Sequence, residues 1–127
     1  MKKIISTTNA PAAIGPYSQG TAGVGLVFVS GQLPINPENG QFASIEIEGQ
    51  TKQSLKNLQE ILKASGSSLD NVLKTTVYLK SMDDFAAMNK VYNDFFKEGS
   101  YPARSAVEVG RLPKDALVEI EAIALLD

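Results

Sequence analysis

The chain contains no cysteine and no histidine among its 127 residues. Without thiols there is no disulfide framework, no thiolate nucleophile and no sulfur-ligated metal site. Without imidazole the usual general base near neutral pH is missing, together with the commonest metal ligand. Neither a Ser-His-Asp nor a Cys-His arrangement can therefore be assembled within this chain. No stretch approaches the roughly 18 uninterrupted apolar residues that a membrane helix needs. After Lys2 and Lys3 only Ile4 and Ile5 precede polar residues, too short a run for the apolar heart of a signal peptide, so a cytoplasmic location is expected. A clustered basic face is missing as well. The 12 Lys and Arg are scattered against 14 Asp and Glu, for a net charge of −2, which argues against a nucleic-acid partner.

What remains is an ordinary globular composition, 43% hydrophobic, sized for one domain over residues 1–127. Any catalysis must rest on Arg, Lys, Glu, Asp, Tyr, Ser and backbone amides. Such a set suits a substrate that is already reactive.

Periodicity divides the chain. Pro11, Gly15, Pro16 and Gly20 mark an opening loop, with a short strand near Tyr17. Val24 to Gln32 reads as a strand, and Asn39-Gly40 as a hairpin turn with residues 43–47 as the return strand. From Thr51 the period changes: Leu55, Leu58, Ile61 and Leu62 form a helical stripe, while Lys52, Lys56, Asn57, Glu60 and Lys63 face water and Gly66 ends the helix. Asn71 to Lys80 is a β-branched strand. Ser81 and Asp84 have capping spacing for a second helix, with Phe85, Met88, Tyr92 and Phe95 as its stripe and an end by Gly99. Two strands close the chain. The expected fold is α+β, one mixed β-sheet of five to six strands with two helices on one face. In the last strand Val118, Ile120, Ala122, Ala124 and Leu126 alternate with Leu117, Glu119, Glu121, Ile123 and Leu125, so both faces carry apolar residues. Burial on both sides predicts that a second subunit covers the outer face, making a homo-oligomer.

The last two strands are also the most charged apolar segments. Arg104, Ala106 and Glu108 share one face of theirs, and residues 111–115 can return the chain so that the two strands pair antiparallel, with Glu119 or Glu121 near Arg104 or Arg111. Plain ion pairing is one reading. The other makes Arg104 a carboxylate clamp, its planar fork offering two parallel hydrogen bonds, with a glutamate nearby to position water or shuttle a proton. Tyr17 sits in a Pro- and Gly-fixed loop, either as packing or as part of a site. Ser30-Gly31 closes a strand where a ligand can approach backbone amides, or simply turns it. Asn89 borders the second helix's stripe and either faces solvent or reaches across an interface.

The segments "APAAIGPYSQG", "SGQLP", "KTTVYL" and "PARSAVEVGRLPKDALVEIEAIA" together resemble the RidA/YjgF family of reactive-intermediate deaminases over nearly the whole chain. Within it the sequence is most similar to the branch that hydrolyses 2-iminobutanoate and 2-iminopropanoate. The resemblance implies a chorismate-mutase-like fold and a homotrimer with an inner β-barrel, helices outside and active sites between adjacent subunits. It further implies hydrolysis of 2-imino acids to 2-keto acids and ammonia, with no metal or organic cofactor. By the same resemblance Arg104 would grip the substrate carboxylate and Glu119 would place the attacking water. Tyr17, Ser30, Gly31 and Asn89 would line the pocket. Ala106 stands where many members carry cysteine, so that thiol cannot be essential to the proposed hydrolysis. The alternative is a non-catalytic, regulatory trimer that binds 2-keto acids or related carboxylates. Ribonuclease activity, attributed to relatives, fits the acidic balance and missing histidine least.

Overall fold

In the computed structural model, which describes residues 1–126, six strands and two α-helices follow one another as β1 (Lys3–Ile5), β2 (Gly20–Gly23), β3 (Leu26–Gln32), α1 (Ile47–Ser65), β4 (Val72–Leu79), α2 (Phe85–Phe95), β5 (Ala103–Glu108) and β6 (Val118–Leu125). The strands form one sheet in the order β1-β2-β3-β6-β4-β5. The first three make an antiparallel meander, β6 is antiparallel to both β3 and β4, and β5 runs parallel to β4. Parallel neighbours need a crossover, which α2 provides between β4 and β5; α1 likewise bridges β3 and β4.

The two helices pack on each other and on one face of the sheet. Leu55, Leu58, Ile61 and Leu62 of α1 meet Val27, Val77, Leu79, Val118 and Ile120 in a continuous core. Gly20 permits that close approach: a Cβ there would lie 3.1 Å from an Ile61 methyl and 3.1 Å from the Phe28 carbonyl oxygen. α1 ends where the sequence suggests, with Gly66 at φ 88° and its N–H donating to the Leu62 and Lys63 carbonyls. No helix is long and apolar enough to cross a membrane among the described residues.

The opposite face carries no helix. In β6, Val118, Ile120, Ala122 and Ala124 are buried beneath the helices, whereas Glu119, Glu121, Ile123 and Leu125 alternate onto the other side. There Phe28 and Val107 are each 43% exposed. Apolar residues on both faces of the last strand are therefore observed.

Four expectations are corrected. β5 and β6 are not partners, because β4 lies between them. The intervening segment 109–117 arches away through Lys114 and Asp115, at φ 56° and 59°, and delivers β6 into a slot with neighbours on both sides. Residues 43–47 form no return strand: only the bridge Ile35–Phe42 forms, and α1 begins at Ile47, earlier than the expected Thr51. The cause lies in Asn57, which was expected to face water. It is buried, and its side-chain amide donates to the carbonyls of Leu33 (3.1 Å) and Ile35 (2.9 Å), satisfying groups a hairpin partner would otherwise take.

Candidate active site

Arg104 on one side, and Glu119 with Glu121 on the other, line two separate clefts, each of about 780 Å³. The first is built on β5. Its register pairs Arg104 with Thr75 of β4, so both point to the helix-covered face. On α2, Phe85, Asn89 and Tyr92 fall on one side of the helix and converge on the arginine. The guanidinium carbon lies 4.7 Å from the Tyr92 ring centre and 5.5 Å from that of Phe85. Its Nη1 donates to Asn89 Oδ1 at 2.6 Å. Among the described residues no carboxylate forms a salt bridge with Arg104. Ala86, Lys90, Asn93, Tyr101 and Pro102 complete the cleft, the Tyr101 hydroxyl being hydrogen-bonded to Asn93.

The second cleft forms where β3 breaks register with β6. Between Val29 and Gln32 the ladder shifts, a bulge of the kind that re-aims backbone and side chains beside a site. Ser30 is pulled out of the ladder by the opening loop: its N–H donates to the Gln19 carbonyl (2.9 Å) and its Oγ to the Ser18 carbonyl (2.6 Å). The same loop carries Tyr17, 53% exposed, whose hydroxyl accepts from the Ile14 N–H at 3.4 Å. Gln19 holds the loop in place. Its buried carboxamide accepts from Thr7 N–H (2.7 Å) and donates to the carbonyls of Thr7 (3.0 Å) and Pro11 (2.8 Å).

Glu119 crosses beneath this bulge. A Cβ on Gly31 would sit 2.7 Å from Glu119 Oε2, so glycine at 31 leaves the carboxylate its place. Burial pushes the Glu119 pKa above the ordinary glutamate value, and the negative charge of Glu121, two residues along the same face, adds to the rise. Tyr78, opposite Glu119 in the ladder, also has its pKa raised, by burial first and then by Glu121. Pro113 and Lys114 close the rim.

The residues singled out in the sequence thus divide cleanly. Arg104 and Asn89 belong to the first cleft, and Tyr17, Ser30, Gly31 and Glu119 to the second. Glu119 does not lie beside Arg104 in one chain, contrary to expectation. Thr75, the ladder partner of Arg104, and Tyr78, the partner of Glu119, are an odd number of residues apart on β4 and point to opposite faces. Glu108 instead accepts the Met82 N–H at 2.8 Å, and Arg111 is exposed. Ion pairing therefore fails to account for Arg104. The sequence reading missed Thr75 and Gln19 and took Phe85 and Tyr92 only for core. The spacing of Phe85, Asn89 and Tyr92, four and then three residues apart, was the available signal.

One mixed six-stranded sheet, a two-helix layer on one face and a cleft on each face of the sheet define the class: a small α+β protein with one sheet face left bare of helices. The model of the family described as Endoribonuclease L-PSP matches residues 7–126, and the chain belongs to this family, the RidA/YjgF proteins. A RutC family protein of Pyrococcus horikoshii is 56% identical over 98% of each chain. The 2-iminobutanoate/2-iminopropanoate deaminase of Escherichia coli K12 is 48% identical, again over 98% of both. Among solved structures, Escherichia coli TdcF with bound serine superimposes with a TM-score of 0.94 at 46% identity, covering 98% of this chain and 99% of that one. The YjgF gene product of the same organism superimposes with a TM-score of 0.93 at 48% identity, covering 97% and 98%.

Proposed function

We propose that this chain is a cytoplasmic hydrolytic deaminase of reactive 2-imino acids, converting 2-iminobutanoate and 2-iminopropanoate to 2-keto acids and ammonia. It works as a homotrimer in which the first cleft of one subunit faces the second cleft of its neighbour. The observation that carries the reading is Arg104: half-buried, held by Asn89 and two aromatic rings, and given no salt-bridge partner among the described residues. A guanidinium so placed suits an organic carboxylate. The relatives named as deaminases of 2-imino acids support the substrate class. The uncovered sheet face and the separation of Arg104 from Glu119 support a site completed by a second subunit.

In this mechanism the substrate carboxylate docks on Arg104 and its iminium carbon is turned toward Glu119 of the adjacent subunit. Glu119 takes a proton from water as the water oxygen bonds to that carbon, giving a tetrahedral amino alcohol. The proton then passes to the nitrogen, the C–N bond breaks with its electron pair leaving on ammonia, and Glu119 takes the remaining hydroxyl proton as the C=O bond of the keto acid forms. A carboxylate whose proton affinity is raised by burial is suited both to taking and to returning a proton. Tyr17, Ser30 and Gly31 shape the pocket around the reacting carbon, and Asn89 orients the clamp. The iminium carbon is already electrophilic, so positioning and proton transfer suffice, without metal or organic cofactor.

The test couples a threonine dehydratase to trapping of the imine by semicarbazide. Added protein should lower the trapped fraction and raise free 2-ketobutanoate. Arg104→Ala and Glu119→Gln should each abolish this diversion, by a factor of about 100 or more for loss of a general base. Trapping that ignores the protein, or full activity in Arg104→Ala, defeats the proposal. The rival reading, a carboxylate-binding regulatory trimer, predicts tight 2-ketobutanoate binding by wild type and by Glu119→Gln with turnover in neither.

A further inference from the structure

We infer that Thr75 and Tyr92 are positioning residues that pre-set the Arg104 fork for its carboxylate, an inference that rests on the clamp reading above. The arrangement begins in the β4–β5 ladder, where Thr75 stands directly beside Arg104 and is fully buried. A hydroxyl shut away from water needs a partner. Thr75 finds it in the Tyr92 hydroxyl at 2.8 Å, and Tyr92 is itself only 4% exposed. That bond pins the phenol ring at its far end while its backbone is held in α2. The ring so fixed is the nearer of the two under the guanidinium.

Arg104 is thereby restrained twice. Its plane is set by the Tyr92 and Phe85 rings, and its rotation within that plane by the Asn89 bond to Nη1. A long, rotamer-rich side chain normally loses freedom when it grips a ligand; here much of that loss is incurred during folding. The choice of a neutral aromatic support matters as well. Burial raises the Tyr92 pKa, against smaller opposing effects of the Thr75 bond and the Arg104 charge, so the phenol stays protonated and gives the guanidinium no counter-ion. An acid in its place would hold the fork equally still and neutralise it. A ring orients the cation and leaves its charge available.

The experiment measures 2-ketobutanoate affinity by calorimetry, together with kcat and KM in the coupled assay, for wild type, Arg104→Ala, Thr75→Val, Tyr92→Phe and Tyr92→Leu. Thermal melting and sedimentation accompany each variant. Tyr92→Leu should weaken binding about tenfold through loss of the cation–ring support, with the effect in KM and little in kcat. Thr75→Val and Tyr92→Phe, which keep the volume and the ring, should weaken it by about threefold, the graded loss expected of a shelf that is loosened and not removed. Wild-type affinity in Thr75→Val and Tyr92→Phe overturns the inference while leaving the clamp intact, provided Arg104→Ala still loses binding. Wild-type affinity in Arg104→Ala removes the clamp itself. Should Tyr92→Leu fail to fold, the two conservative variants decide the matter.

Discussion

Glu119 shows how burying a single ionisable side chain costs folding stability at neutral pH. Burial and the adjacent Glu121 raise its pKa in the folded chain above its value in the unfolded one. The native state therefore holds this proton more tightly than the unfolded state does. The stabilisation from that proton is complete below the ordinary glutamate pKa and is lost as pH rises through the elevated native value. At neutral pH the ionised carboxylate is a cost. Glu119→Gln, which keeps the shape and removes the charge, should be more stable than wild type at pH 7, with the advantage shrinking as pH falls through the elevated native pKa to the ordinary glutamate value and constant below it. Urea unfolding across a pH series measures this; a constant difference between the two proteins would show that the charge is well solvated. Gly31 belongs to the same argument, since any larger residue there meets the carboxylate.

Among the elements, α1 is the most legible. Its stripe and its glycine terminator were readable because helical periodicity and the left-handed C-cap are local properties. Gly66→Ala should lower stability by about 1 kcal/mol, the cost of forcing a Cβ into the left-handed region, as a shift in the urea midpoint with no change in cooperativity. Strand existence was equally local, and β3, β4, β5 and β6 lie where alternation puts them to within a few residues. Strand pairing was not. A hairpin between β5 and β6 satisfies every local rule, and only the whole sheet reveals that β6 inserts between β3 and β4. The missing return strand has the same origin: one buried amide, Asn57, claims carbonyls more than twenty residues away. No window around residues 33–47 contains that fact.

For the whole molecule, the informative feature is that the two clefts lie on opposite faces of one sheet. The interrupted alternation offered Arg104 as a clamp with Glu119 or Glu121 beside it, and the family resemblance chose Glu119. The sequence hid their separation, because the parity that sends them apart is counted through β4. A direct prediction follows for the proposed trimer. Arg104→Ala and Glu119→Gln, each inert alone, should regain activity when unfolded together and reassembled, because one subunit supplies the missing arginine and another the missing glutamate. Random mixing at equal amounts should restore about a quarter of the wild-type rate, as one pairing in four is intact. A mixture as inert as its components would place both groups in a single chain or deny one of them its role. The same geometry makes protein dose a control parameter. If the proposed trimer holds, a solitary chain would own two incomplete pockets and no working one, so dilution past the point of assembly would extinguish catalysis without any inhibitor, and far more steeply than the amount of protein falls.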